Sequence, residues 1–255
     1  IRYVDFNQGV DLGGCRVIKK KLLAQIPIRP LRIAFDDIKT ESFYTKALHL
    51  SVDNGIKDFS NYLLYNFKDH PIDLYHRMRI NVQLCEDLGV SIYSFPMKYH
   101  PIRNEHSHDR DYIGEHWNRK YIRAVQAILN ATKGKIGRGL SFFEKAFGCN
   151  EEEYMELLIM PETFLLFRFF FEHLGYTDQW RSAIYALSDE ERNIVLPIIF
   201  KNDFSNIEEM NVSDRIKYVL SFYKNYRAEI ADSNSSLFKM KQEFELIRCA
   251  TIKEY

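Results

Sequence analysis

Residues 56–97, "IKDFSNYLLYNFKDHPIDLYHRMRINVQLCEDLGVSIYSFPM", decide the fold class. Ile56–Phe67 is rich in aromatic and branched side chains and reads as a strand. Pro71 stands where a helix opens, which suits its fixed φ and missing N–H. Leu74, Met78, Val82, Cys85 and Leu88 then recur at helical spacing, and Gly89 stops the run. Val90–Met97 returns to strand character. A strand, a helix and a strand at this rhythm imply a crossover connection and parallel neighbours.

The same rhythm extends upstream. Arg2–Asn7 reads as a strand, Arg16–Ile26 as a helix, Pro30–Asp37 as a strand ending in two carboxylates, and Glu41–Gly55 as a helix closed by Gly55. After about Tyr112 the pattern changes. Gly114–Gly134 has the periodicity of an amphipathic helix, residues 134–139 (GKIGRG) read as a loop, and from Leu140 onward only helical patterns follow. Ser188 with Glu191 forms a capping box, and Ser213 caps the next helix. Residues 229–236 read as a linker to a last short helix. The expected fold is therefore α/β: a partial (β/α) barrel of parallel strands over residues 1–111, followed by an all-helical region over 112–255.

Composition narrows the function classes. The 255 residues carry 35 Lys+Arg and 35 Asp+Glu, so net charge offers no argument for a nucleic-acid or membrane partner. Cys15, Cys85, Cys149 and Cys249 are scattered, which suggests neither a disulfide framework nor a zinc site and fits reduced, cytoplasmic thiols. The apolar run at residues 163–175 is interrupted by Arg168 and is too short to span a bilayer, so it reads as a buried helix.

In parallel β/α architectures ligands sit at the C-terminal ends of strands. That rule selects Asn7-Gln8-Gly9 with Asp11, the pair Asp36-Asp37, the segment Tyr65–Asp69 and the segment Ser94–Tyr99. Polar caps at strand ends are the plain alternative at any one of these places; four together favour a ligand site.

These segments resemble the C-terminal half of a radical S-adenosylmethionine enzyme. Residues 2–11 (RYVDFNQGVD) are similar to the fourth barrel strand of that family, residues 61–75 (NYLLYNFKDHPIDLY) to the fifth, and residues 90–102 (VSIYSFPMKYHPI) to the sixth. Residues 116–134 resemble the region after the barrel in an uncharacterised subgroup. The resemblance implies that residue 1 falls inside the barrel. It also implies two cofactors, S-adenosylmethionine and a 4Fe–4S cluster, whose Cys-x3-Cys-x2-Cys ligands are absent from these residues and are expected upstream. With that cluster, the family's chemistry is reductive cleavage to a 5′-deoxyadenosyl radical that acts on a substrate, here unknown.

Carried over, Asn7 and Gln8 would hold the ribose or amino-acid part of the cofactor. Residues 62–66 would wall the adenine, with Tyr62, Leu63 and Asn66 as contacts. Ser94, Phe95 and Pro96 would close the pocket, with Asp11 and Asp36 at neighbouring strand ends. Tyr99 and Arg119 are the candidate substrate contacts. Asn61 and Tyr65 stand where the family often has glycine, and Leu12 and Gly13 where the subgroup has Ala-Arg. The alternative from another class is a non-catalytic binding module that keeps part of the barrel as scaffold.

Other signals favour plain readings. His100, His106, His108 and Asp109 cluster, but on a loop with no helical pair spacing, so a solvated loop is preferred to a metal site. Trp117 reads as packing beside an exposed Arg119. The basic, glycine-rich residues 131–139 lack the Gly-Lys-Ser/Thr ending of a phosphate loop and read as a helix end followed by a solvated loop.

Overall fold

A computed structural model describes residues 29–102 and 111–253. The expectations for Arg2–Asn7, Arg16–Ile26, Asn7, Gln8, Asp11 and Cys15, and for His106, His108 and Asp109, lie outside the described residues. The chain forms two compact units, residues 1–158 and 159–255.

The first unit is mixed α/β. Strands β1 (Leu31–Arg32), β2 (Asp58–Tyr65) and β3 (Ser91–Lys98) form one parallel sheet in the order β1-β2-β3. Helices α1 (Glu41–Val52) and α2 (Pro71–Leu88) make the two crossovers. Among the described residues these three strands make an open sheet; closing a barrel takes about eight. β1 is shorter than the alternation over Pro30–Asp37 predicts. Ile33 N still donates to Ser60 O (3.2 Å), but pairing ends there, and Asp37 turns outward to cap a short 3₁₀ turn, Ile38–Thr40, by accepting from Lys39 N (2.9 Å).

α2 follows its sequence signals. Pro71 occupies the first turn, and Gly89 ends the helix in the left-handed conformation (φ 61°). Leu74, Met78, Val82 and Cys85 are buried against β2 and β3. Two polar residues, Arg77 and Asn81, share that buried face. Asn81 belongs to a closed network. Its Nδ2 donates to Ser94 Oγ (2.8 Å), while its Oδ1 accepts from Tyr44 OH (2.7 Å), which in turn accepts from Asn61 Nδ2 (2.9 Å). Burying these groups is tolerable because each finds a partner.

The expected helix over Gly114–Gly134 starts later, as α3 (Arg119–Ala131), because Asn118 caps it by accepting from Tyr121 N (2.8 Å). Residues 134–139 are not merely a solvated loop. Ile136 exchanges both backbone hydrogen bonds with Ser94 (2.7 and 2.8 Å) in an antiparallel bridge on the β3 edge. Helix α4 (Leu140–Phe147) packs on α2 and α3, and α5 (Glu151–Ile159) follows.

The second unit is helical: α6 (Glu162–Leu166), α7 (Arg168–His173), α8 (Tyr176–Tyr185), α9 (Asp189–Lys201), α10 (Asp214–Ser221), α11 (Arg227–Ala231) and α12 (Ser236–Lys253). The Phe-rich run is two helices, broken at Phe167 (φ −120°, ψ 42°). Phe164 and Phe171 stack at 4.5 Å, and both are fully buried, as is Trp180 of the same unit. Ser188 with Glu191 and Ser213 cap α9 and α10 as their spacing predicts. The last helix spans 18 residues rather than being short. No described helix is long and apolar enough to cross a membrane.

Candidate functional site

Side chains alternate across a strand, and residues directly paired in a parallel ladder share a face. The pairing Phe59↔Ile92, Asn61↔Ser94 and Leu63↔Pro96 defines the face covered by helices, where all six residues are buried. The pairings Arg32↔Ser60↔Tyr93, Tyr62↔Phe95 and Leu64↔Met97 define the other. That face stays partly open: Tyr62 is 36% exposed, Tyr93 40% and Met97 46%. The Tyr62 and Phe95 rings meet at 5.9 Å, and the Arg32 guanidinium lies 5.4 Å from the Tyr62 ring centroid. Lys135, beside the Ile136 bridge, places its ammonium 5.3 Å from the Tyr93 ring. A Cβ at Gly137 would lie 3.4 Å from the same ring.

At the C-terminal ends of the strands a second set of residues locks the exits. Arg77 is fully buried. It donates to the carbonyls of Asp73, Phe35, Asp36 and Leu64 (3.2, 3.3, 3.0 and 2.9 Å) and to Asp69 Oδ2 (3.0 Å). Asp69 also accepts from Phe67 N (3.0 Å) and, through Oδ1, from Trp117 Nε1 (3.3 Å). Burial pushes the Asp69 carboxyl above its usual range against the pull of these donors, and burial lowers Arg77. Asn66 sits in the left-handed region (φ 70°). Its amide donates to Tyr112 O (3.0 Å) and Tyr99 O (3.4 Å), and its Oδ1 accepts from Gly114 N (2.8 Å). Tyr99 stacks obliquely on exposed Phe67 (4.4 Å), and His70 stacks on His116 at 3.7 Å.

The sequence-derived residues therefore divide. Asp36 and Tyr62 reach the open face and its exit; Asp36 is exposed and its Oδ1 accepts from Leu64 N (3.2 Å). Leu63, Ser94 and Pro96 point the other way, into the layer under the helices, because they fall on the opposite parity of their strands. Asn66 is at the exit, but its side chain is buried and committed to backbone. Ser94 and Asn66 thus do not share one mouth. Tyr99 is at the exit, and Arg119 is exposed at the first turn of α3. Trp117 is a packing residue whose Nε1 donates to Asp69 O (2.9 Å).

Arg32 and Tyr93 carry no signal beyond strict strand alternation, which separates Tyr93 from its buried neighbours, and Lys135 lies in the basic residues 131–139 that read as a solvated loop. Arg77 falls on the same face of α2 as the apolar stripe, and its charge gives no local sign of burial. Among the described residues no three His, Cys, Asp or Glu side chains gather as a metal site. The described cysteines are free and dispersed, with Cys85 buried and Cys149 and Cys249 exposed. No protein-family model, curated protein or solved structure matches this chain.

Proposed function

We propose that the open sheet face and its strand exits form the cofactor side of a radical S-adenosylmethionine-type enzyme, the three parallel strands being part of a (β/α) barrel wall. The observation that carries this reading is the Tyr62–Phe95 aromatic pair, on the partly open face of a parallel sheet, immediately below strand exits of the kind that receive ligands in β/α folds.

The residues present suit an adenosyl group. Tyr62 and Phe95 offer flat π surfaces to a purine. Asp36, exposed at the tip of the face, offers a carboxylate to ribose hydroxyls or to the cofactor's amino group. Arg77 and Asn66 act one step back: Arg77 ties the ends of β1 and β2 together, and Asn66 ties β2 to Tyr99, Tyr112 and Gly114, so the rim keeps one shape. A 4Fe–4S cluster does not fit the described residues, whose cysteines are dispersed. S-adenosylmethionine, when bound, would supply radical chemistry; this chain's part is to bind the adenosyl portion and exclude water from it.

Equilibrium dialysis with S-adenosylmethionine tests the reading. Phe95→Ala, which removes half of the aromatic pair, should weaken binding about tenfold, in line with roughly 1–3 kcal/mol per base–aromatic stack. Failure of the unaltered chain to bind would leave the scaffold reading, a binding module without this cofactor.

A further inference from the structure

The other end of the open face has a different chemistry. Ser60 lies at the centre of the row Arg32–Ser60–Tyr93. Its hydroxyl is buried, in a residue only 4% exposed, and has no hydrogen-bond partner among the described residues. An orphaned hydroxyl of this kind calls for a missing acceptor or donor. Arg32 flanks it on one side, over Tyr62, and Lys135 lies on the other, over Tyr93. Among the described residues neither cation has a carboxylate in ion-pair contact. Asp58 shares the face one step nearer the strand starts, and Asp36 lies at the opposite end. The Ile136 bridge fixes the Lys135 backbone to β3, and Gly137 lies against one flank of the Tyr93 ring, where a Cβ would stand 3.4 Å from it.

Two cations beside an exposed phenol ring are the elements that recognise a planar base carrying a phosphate. We propose that this end of the face binds the substrate of the enzyme, a mononucleotide or a close relative, with the base on Tyr93 and the phosphate between Arg32 and Lys135. This rests on the cofactor reading only for the word substrate; the binding site stands on its own residues.

The test uses uridine 5′-monophosphate, which lacks the adenine of the cofactor, titrated into the purified chain by calorimetry. Binding should be detectable, and R32E/K135E should weaken it by about tenfold or more, since charge reversal at both cations opposes the phosphate. Uridine without the phosphate should bind at least as weakly as the nucleotide does to that variant. Tyr93→Ala should weaken the nucleotide while leaving S-adenosylmethionine affinity within about twofold, because nothing at Tyr93 is assigned to the cofactor. No binding of the nucleotide to the unaltered chain overturns the proposal. So does displacement of the nucleotide by S-adenosylmethionine, or equal binding by R32E/K135E. Nucleotide binding with no S-adenosylmethionine binding would refute the cofactor reading and leave this site standing.

Discussion

Arg77→Met is the sharpest test of how the strand exits are held. The guanidinium is fully buried and donates to four backbone carbonyls and to Asp69. Methionine fills most of the volume but supplies no donor. The carbonyls of Phe35, Asp36 and Leu64 lose a partner, and the Asp69 carboxylate, only 12% exposed, is left without its counter-ion. Breaking a buried pair from one side costs about 3–5 kcal/mol. With a urea slope of about 2 kcal/mol per molar, the midpoint of the first unit should fall by about 2 M.

Fluorescence of Trp117, in a Trp180→Phe background, reports on that unit alone. Asp69→Asn added to Arg77→Met should recover a substantial part of the loss, because the orphaned charge is gone. The sign with pH follows from the raised Asp69 carboxyl. A folded-state pKa above the unfolded value, about 3.9, means the contribution is most favourable below that value and is lost as pH rises through the folded one. In Arg77→Met the upward shift grows, so the deficit should shrink as pH falls from 7 toward 4. A loss under about 1 kcal/mol, well below the buried-pair range, would refute the assignment of Arg77 as the clamp of the exits. So would a double variant no more stable than the single one.

Two further tests concern the scaffold. Gly114→Ala should destabilise the first unit by about 2 kcal/mol or more, as overpacking against backbone does. Its Cβ would stand 2.4 Å from Phe67 O and 2.8 Å from Asn66 C, neither of which can rotate away; an unchanged urea midpoint would show that the rim is not packed as described. In the second unit, Glu191 accepts from Ser188 N (3.0 Å) and Ser213 Oγ (3.2 Å), and the Ser188 backbone hydrogen bond leads the causes that hold its carboxyl below the usual range. The capping contribution is then present above the unfolded value, about 4.3, and lost as pH falls through the folded one. An NMR titration of Glu191 should find its pKa below 4.3, and a value at or above that number would discard the capping box.

What local chemistry dictates could be read from residues alone. The position of α2 was legible in Pro71, its apolar stripe and Gly89, and the caps at Ser188 and Ser213 in their three-residue spacing, because each depends on neighbours within one or two turns. Parallel pairing of β2 and β3 was legible for the same reason: the helix between them leaves no shorter route back.

Which face of each strand meets the helices was not read correctly for Leu63, Ser94 and Pro96. A strand's parity has a period of two, so a one-residue choice reverses every side chain, and only packing against α1 and α2 settles it. Arg77 belongs with them. Its acceptors come from residues 35, 36, 64, 69 and 73, a convergence no periodicity encodes. The sequence alone determined the order of β2, α2 and β3 and the stops and caps at Gly89, Ser188 and Ser213; the tertiary fold decided how far β1, α3 and the last helix run and which side chains the elements share, because burial and hydrogen-bond satisfaction are properties of the assembled layers rather than of any one segment.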